Sequence, residues 1–147
     1  TMGISEILAK KRKKIYLGNL DSKRDWGHVK DYVDGMWKIL QYKKPDDFIL
    51  ATGKTYSVRN FVETAFSFVN INIIWKGKGI NEKGINKKSG KILVEIDKQY
   101  YRPLEVNHLC GDASKARAKL NWKCKISFRE LVKEMITSDL KINNIEL

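Results

Sequence analysis

The chain has 147 residues, a length that suits one domain and allows a hydrophobic core. Hydrophobic residues make up 42% and charged residues 31%, which excludes a disordered chain, and apolar runs such as 71–75 are too short to cross a bilayer. The formal net charge of +12 is compatible with nucleic acid, an anionic membrane surface, acidic or phosphorylated ligands, or simply a lysine-rich proteome, so the positions of the cations must decide.

The N-terminal segment TMGISEILAKKRKK carries its basic cluster after its apolar residues, the reverse of a secretory signal. Cys110 and Cys124 form no Cys-x-x-Cys pair, and His28 and His108 are the two histidines. A zinc site needs about four convergent ligands, so we expect no metal and two inert thiols in a reducing cytoplasm. The opening Thr1-Met2 suggests a chain cut from something longer.

The first third of the chain predicts two helices and a strand. Residues 4–14 are expected to form a helix with KKRKK in its last turn, where cations suit the helix dipole. Residues 15–19 are predicted as a strand, and RDWGH as a turn-like or extended entry to a helix over 29–42. Six apolar residues of that helix recur with the period of a buried stripe: Val29, Tyr32, Val33, Met36, Trp37 and Leu40.

The middle third predicts an α/β arrangement. The continuous apolar run FILAT, 48–52, suggests a strand covered on both faces, as in a parallel sheet. Ser57 is a candidate N-cap for a helix over 58–69, and 71–75 is a further strand. The helix's inward side is predicted to consist of Phe61, Val62, Ala65, Phe66 and Val69.

The rest of the chain is predicted to begin with a mobile loop or hairpin excursion over 76–91, outside the core, because four glycines and many lysines occur there. A strand over 92–96 and an irregular segment follow, in which Pro103 favours an extended backbone at Arg102. Asp112 is expected to cap a short helix, SFRE (127–130) is a capping box that opens the last helix, and the final residues are expected to fray. Too few strands of the sheet type occur for a complete doubly wound domain, which indicates a piece of one.

Motifs for catalysis and cofactor binding are not found. The nearest match to G-x-G-x-x-G, at 77–84, has its third glycine too late and no helix behind it, and neither a Walker loop nor a Tyr-x-x-x-Lys pair is present. We therefore predict no catalytic or cofactor-binding residue in this chain, and we expect His28 and His108 to be packing or surface residues.

Two arginines are candidates for binding a phosphorylated ligand. Arg24 lies in KRDWG, where a strand leads into a helix, and Arg102 lies in YYRPLE. Either one alone is explained by a surface ion pair, but two guanidinium groups together match the oxygens of a diphosphate. Glu105 would then accept hydrogen bonds from ribose hydroxyls, and Asn19 would offer its amide to a base or sugar.

Three segments resemble a known family. LGNLDSKRDWGHVKDYVDGMWKILQ, FILATGKTYSVRNFVETAF and YYRPLEVNHLCGDASKARAKLNWKCKISFRELVKEMI are similar to the C-terminal part of GDP-mannose 4,6-dehydratases, which are extended short-chain dehydrogenases/reductases. The resemblance runs from about Lys14 to Leu140. It implies that residues 1–147 form the C-terminal portion of an extended Rossmann-type fold, mainly its substrate-binding subdomain with a late sheet strand and helices.

The resemblance also implies an activity. The full enzymes use NADP to oxidise the mannose C4 hydroxyl, eliminate water across C5 and C6, and return the hydride to C6, giving GDP-4-dehydro-6-deoxymannose for GDP-fucose-type deoxysugar synthesis. Their glycine-rich loop, Thr/Glu pair and Tyr-x-x-x-Lys would precede Thr1, so this chain alone is expected to be inactive. On this pattern Arg24 and Arg102 form the diphosphate clamp, Glu105 contacts ribose, and Asn19 and Lys23 are further substrate contacts.

The expected partners are GDP-mannose, an N-terminal Rossmann half and further copies in a family-type homo-oligomer, with no nucleic acid, membrane or metal. Without the Rossmann half, the 48–52 strand and the inner faces of the 29–42 and 57–69 helices would lose their cover, which predicts association.

Two alternatives stay open. One is a nucleic-acid-binding module, suggested by a pI of about 9.7 and AKKRKK; the predicted core-facing positions of Tyr32, Trp37, Phe61 and Phe66 weigh against it. The other is a non-catalytic sensor of sugar nucleotides.

Overall fold

The computed structural model describes residues 1–102, 106 and 108–146. Its helices are α1 (Met2–Leu8), α2 (Val29–Leu40), α3 (Val58–Ser67), α4 (Ser114–Leu120) and α5 (Phe128–Ile142), with a 3-10 turn at Gly79–Asn81. Its strands are β1 (Ile15–Leu17), β2 (Lys23–Arg24), β3 (Tyr56–Ser57), β4 (Ile73–Lys76), β5 (Lys83–Asn86) and β6 (Ile92–Ile96). The predicted α/β class is confirmed.

The strands form one mixed sheet and one short ribbon. The sheet has the order β1-β6-β5-β4, with β1 parallel to β6 and the other neighbours antiparallel. The ribbon joins β2 to β3, with Lys23 opposite Ser57 and Arg24 opposite Tyr56. Because β3 leads directly into α3, the ribbon fixes the segment around Arg24 to the start of that helix.

The hydrophobic core has two parts. The larger part joins the sheet to α1, α3 and α5, and its fully buried members include Phe66, Val94 and Val132. The smaller part centres on Trp122 and α4, with half-buried side chains of α2 and of residues 48–50 packed against it. The inner face of α3 is therefore covered within this chain, and the expectation that it would be left open is wrong.

Both serine caps are confirmed. Ser57 and Asn60 form a reciprocal capping box at α3, and Ser127 and Glu130 form one at α5. At α4 the first residue outside the helix is Ala113, while the Asp112 carboxylate accepts hydrogen bonds from Ser114. The predicted fraying at the end is only partly seen, because α5 continues to Ile142 and Ile145 packs against the core.

Helix α1 ends earlier than predicted. Lys10 N–H donates to Ile7 and Lys11 N–H donates to Glu6, a Schellman end that satisfies the last carbonyls. Lys10 occupies the left-handed position of this motif, with φ of 59°, where glycine is usual and an L side chain costs about 1–2 kcal/mol. The basic cluster therefore lies beyond the helix and not in its last turn.

Helix α2 is where predicted, but its apolar stripe is not buried within this chain. Five large side chains on one face are 56–78% exposed: Val29, Val33, Met36, Trp37 and Leu40. The buried residues of α2 are Asp31 and Gly35, and Gly35 approaches Leu50 and Trp122 so closely that a Cβ there would collide with both. The prediction that Trp37 faces the core is wrong for this chain, whereas the expected uncovered face on this helix is present.

Residues 48–52 do not form a strand. Among the described residues, no backbone hydrogen bond involves the N–H or C=O groups of 48–51, so both edges of this segment are unpaired. Ile49 is 59% exposed, while Ala51 is buried. The segment has the apolar composition of a strand, but the described part of the chain provides no neighbouring strand with which it could pair.

Of the two predicted alternatives for residues 76–91, a mobile loop or a hairpin excursion, the structure shows the hairpin. The expectation that this segment lies outside the core is wrong, because β5 is part of the main sheet. β5 lies between β4 and β6 and its Gly84 is buried. A Cβ at Gly84 would collide with Trp75 and Val94, which explains the glycine. None of the helices in the described part of the chain has the length and apolar character needed to cross a membrane.

Candidate functional site

Two loops that carry the predicted ligand-binding residues run side by side. The first loop, 18–24, follows β1; the second, of which residues 100–102, 106 and 108–109 are described, comes after β6, which is the parallel neighbour of β1. At one end, Gly18 lies against the Tyr100 carbonyl, and at the other Lys23 forms a parallel bridge with His108 and accepts from Leu109 N–H at 3.2 Å. The parallel pairing of the two strands thus delivers both loops to one edge of the sheet.

The approach at Gly18 has a steric requirement. A Cβ on Gly18 would lie 3.0 Å from the Tyr100 carbonyl carbon and nearer still to its oxygen. Real Cβ atoms are not found at such separations from backbone, so glycine is what allows the Tyr100–Arg102 segment to cross here.

Backbone hydrogen bonds from the start of α3 anchor the first loop. The backbone N–H of Arg59 donates to the Leu20 carbonyl at 2.9 Å, and that of Val58 donates to the Ser22 carbonyl at 3.1 Å. Leu20 and Ser22 are each 1% exposed. Of the residues that alternate with them, Asn19 is half-buried, while Asp21 and Lys23 are exposed.

Asn19 and Arg102 line one cavity of about 350 Å³ at the point where the loops cross. Its described lining also contains Leu17, Gly18, Val58, Gln99 and Tyr100. The Asn19 side chain accepts from Asp21 N–H at 2.9 Å through its oxygen, which leaves its NH₂ group directed elsewhere. The structure therefore brings together two of the five predicted contact residues.

Arg24 and Lys23 lie further along the same loop, in the β2–β3 ribbon. The Arg24 guanidinium donates through Nη1 to the Val106 carbonyl at 2.7 Å and to the Lys23 carbonyl at 2.9 Å. It thus contacts the second loop directly, although Arg24 and Lys23 are not among the described lining residues of the Asn19–Arg102 cavity. Glu105 lies outside the described residues, and the diphosphate clamp stays a prediction.

Asp25, next to Arg24 in sequence, has a structural role that the sequence analysis missed. Its Oδ1 accepts from Thr52 N–H at 3.0 Å and from the Thr52 hydroxyl at 2.5 Å. Its Oδ2 accepts from Gly53 N–H at 2.9 Å and from Gly111 N–H at 3.3 Å. The carboxylate ties three segments together at the base of both loops.

Arg59 is a second residue that the sequence analysis missed. Its guanidinium makes two hydrogen bonds to Glu82, at 2.5 and 3.0 Å, and one of 2.8 Å to Asp21, while it stacks 4.8 Å above the Trp75 ring. Glu82 and Asp21 raise the pKa of Arg59, Glu82 more strongly. The side chain braces the first loop against the hairpin excursion, and no local sequence signal marks it.

The histidines and cysteines have structural surroundings. His28 is buried, caps α2 by accepting from Lys30 N–H at 3.1 Å and lies 3.2 Å from Glu134, whereas His108 lies at the surface beside Thr55. His28 is thus a packing residue and His108 a surface residue. Both cysteines are free, and burial raises the pKa of Cys124. The described residues contain no group of three or more potential metal ligands.

The glycine-rich stretch at 77–84 does not fit a cofactor phosphate. It folds into a 3-10 turn and then into β5, so it presents no helix N-terminus to a phosphate group. A nicotinamide cofactor would therefore have to be held by residues other than these.

The fold is that of part of a Rossmann-type short-chain dehydrogenase/reductase. RMD from Pseudomonas aeruginosa, solved with NADPH, superposes with a TM-score of 0.72 at 12% identity, covering 96% of this chain and 41% of that one. The dTDP-glucose 4,6-dehydratase of Bacillus anthracis, solved with NAD, superposes with a TM-score of 0.68 at 16% identity, covering 97% and 40%. At these identities the likeness concerns the fold.

Sequence comparison defines the family. The family model described as GDP-mannose 4,6 dehydratase matches residues 1–135. The chain is 55% identical over 126 residues to GDP-mannose 4,6 dehydratase of Cricetulus griseus, 53% identical over 126 residues to that of Homo sapiens, and 49% identical over 142 residues to that of Drosophila melanogaster. The chain belongs to the GDP-mannose 4,6-dehydratase family, as its sequence motifs predicted.

The match covers 86–97% of this chain but 34–36% of those three relatives. The chain therefore spans about a third of the length of the curated relatives it matches.

Proposed function

We propose that this chain is the nucleotide-sugar-binding part of a GDP-mannose 4,6-dehydratase, a cytoplasmic lyase. The complete enzyme would convert GDP-mannose to GDP-4-dehydro-6-deoxymannose, with NADP as the hydride carrier held outside the residues described above. The contribution of this chain is to bind and orient the GDP moiety.

The observation that carries this proposal is that the 18–24 loop lies beside the described residues 100–102, 106 and 108–109 of the second loop. Asn19 and Arg102 already share a cavity, and Arg24 contacts the second loop at Val106. A diphosphate held between the loops would be met by a guanidinium from each, and each charge-assisted hydrogen bond contributes about 1.5–3 kcal/mol.

The remaining roles follow from the same arrangement. Asn19 would offer its NH₂ group to the base or sugar, Lys23 would contribute charge at the exposed rim, and Glu105 would accept from ribose hydroxyls. Arg24 has a second role as well, because its bond to Val106 holds the two loops together in the absence of ligand.

Titration calorimetry with GDP tests the proposal. We expect one GDP per chain, a loss of about tenfold or more in affinity for Arg24→Ala and for Arg102→Ala, and no loss for Lys44→Gln, which removes an exposed lysine elsewhere. Urea unfolding of the same variants separates loss of a ligand contact from loss of the Arg24–Val106 bond. Wild-type affinity in both arginine variants would contradict the clamp.

The nucleic-acid alternative gives the opposite result in the same assay. Single-stranded DNA would bind with a steep dependence on salt and GDP would not saturate a single site. The exposure of Trp37 removes one argument against this alternative. However, its exposed neighbours on the face, Val33, Met36 and Leu40, are aliphatic and uncharged, which does not suit a phosphate backbone.

We further propose that the NAD(P)-binding half of the enzyme covers the apolar face of α2. That face is 56–78% exposed at five large side chains, and the adjacent 48–51 backbone has no hydrogen-bonding partner among the described residues. A sheet strand beside 48–52 would satisfy these groups, and the sheet would continue beneath α2. Relatives about three times as long as the matched region have enough chain to provide it.

The test is binding in trans to the separately produced part of the Cricetulus griseus relative that this chain does not match. We expect Met36→Lys and Trp37→Lys to abolish association. Ile142→Lys, which alters an apolar side chain of similar exposure (63%) on α5, should retain it. Equal binding by all three variants would place the interface elsewhere.

A further inference from the structure

A basic cavity lies where α1 ends beside the start of β6. Its volume is about 560 Å³, and it shares no lining residue with the Asn19–Arg102 cavity. Seven side chains line it. We call the four cationic ones the rim, Lys10, Arg12, Lys13 and Lys91, and the three aliphatic ones the floor, Ile7, Ile92 and Leu93. The dehydratase assignment gives this cavity no role.

The backbone places a lysine here at a conformational cost. Lys10 has φ of 59° at the left-handed position of the α1 Schellman end, where glycine would be unstrained. Because strained backbone conformations cluster at functional sites, this one draws attention to the Lys10 side chain. At Lys10 the result is an ammonium group on the rim of the cavity.

Most of the positive charge on the rim is uncompensated. Arg12 is paired with Glu6 at 2.6 Å. Lys10, Lys13 and Lys91 make no ion pair with any carboxylate in the described ranges. Three ammonium groups around an aliphatic floor attract a multiply charged anion and favour one with an apolar or planar body.

We propose that this cavity binds a small molecule that carries several phosphate groups, with its apolar or planar body on the floor of Ile7, Ile92 and Leu93. A concave site of this size suits a small ligand better than a flat bilayer. The described lining contains no aromatic side chain on which the bases of a nucleic acid would stack, which disfavours a nucleic-acid strand.

Lys10→Gly is a sharp test, because it removes the ammonium group while relieving the backbone. We expect the Tm to rise by about 2–4 °C. Affinity for ATP, used as a probe with a planar body, should fall about three- to fivefold at physiological salt. Lys91→Gln should weaken ATP binding similarly, whereas Lys44→Gln, remote from the cavity, should not.

The position of the ligand is checked by methyl NMR spectra. ATP should shift the methyl signals of Ile7, Ile92 and Leu93, and inorganic tripolyphosphate should bind more weakly than ATP because it leaves the floor empty. Unchanged ATP affinity in Lys10→Gly, shifts confined to other methyl groups, or an equal loss in Lys44→Gln would overturn the site. Equal affinities for ATP and tripolyphosphate would overturn the role of the floor.

Discussion

Replacing Gly18 with alanine should weaken GDP binding without removing any side chain that is proposed to contact the ligand. The added Cβ would lie 3.0 Å from the Tyr100 carbonyl carbon and closer still to its oxygen, so the 100–102 segment has to move by about 1 Å. Arg102 lies at the end of that segment and would move with it.

The expected magnitude follows from what Arg102 contributes. A displacement of about 1 Å removes the alignment of a charge-assisted hydrogen bond worth about 1.5–3 kcal/mol, which corresponds to roughly ten- to hundredfold in affinity. The steric collision itself should lower the free energy of unfolding by about 1–3 kcal/mol. Calorimetry with GDP measures the first effect and urea unfolding the second.

Gly90→Ala is the matched control. Gly90 has φ of 70° with no atom within 4 Å of an added Cβ, so alanine there is strained but displaces nothing in the proposed site. It should reduce stability by about 1 kcal/mol and leave GDP affinity unchanged. In addition, Gly18→Ala should cause little further loss in an Arg102→Ala background, because both changes remove the same contact. Wild-type GDP affinity in Gly18→Ala would refute the placement of Arg102 in the site.

Two further predictions concern stability. Asp31→Ala should lower the free energy of unfolding by about 2–3 kcal/mol, because buried Asp31 accepts hydrogen bonds through Oδ2 from Lys125 N–H at 3.0 Å and Ile126 N–H at 3.1 Å. Asp31→Asn keeps one acceptor oxygen and should lose less stability. Equal loss of stability in both variants would rule out this reason. At α5, the hydrogen bonds from Ser127 hold the pKa of Glu130 below its ordinary value of 4.5, so the stabilisation they give is complete above that value and is lost as pH falls through the lowered pKa. The stability difference between wild type and Glu130→Gln, followed by urea unfolding from about pH 6 to pH 2, should therefore shrink on acidification, and a constant difference would contradict the role of the charge.

The parts of the fold that were predictable depend on local signals. Ser57 and Ser127 mark helix starts because a capping hydroxyl acts on backbone groups only three residues away. The bounds of α2 follow from its apolar period in the same way. Its environment does not, because periodicity identifies an apolar face but not the element that covers it. In this chain α2 packs through buried Asp31 and Gly35 and through half-buried Tyr32 and Ile39.

The errors have equally local causes. A continuous run of basic residues after α1 resembles the last turn of a helix, and the left-handed turn at Lys10 is made by a residue that does not usually adopt it. The 76–91 segment is rich in glycine and lysine, yet Gly84 is required there by the close approach of Trp75 and Val94 inside the sheet.

The candidate site shows why contacts between residues far apart in the chain could not be predicted from the sequence. Arg24 and Arg102 were identifiable by residue type and setting, but the crossing of their loops depends on the β1–β6 pairing, which joins residues about 80 positions apart. The Asp25 carboxylate binds backbone amides of two other segments, a role that no local pattern in the sequence indicates. Such roles are set by the folded chain as a whole.

The hairpin excursion offers a position at which a label or linker can be inserted. In the described part of the chain, its inner part, at Glu82, is coupled through Arg59 to the loop that carries Asn19. Its outer turn at 88–90 is exposed and is bonded mainly to Asn86 within the same turn. A fluorophore, affinity peptide or surface linker inserted at Ser89 would therefore sit at the end of a firmly paired ribbon. The protein could be immobilised or labelled there while the region around Asn19 keeps its shape.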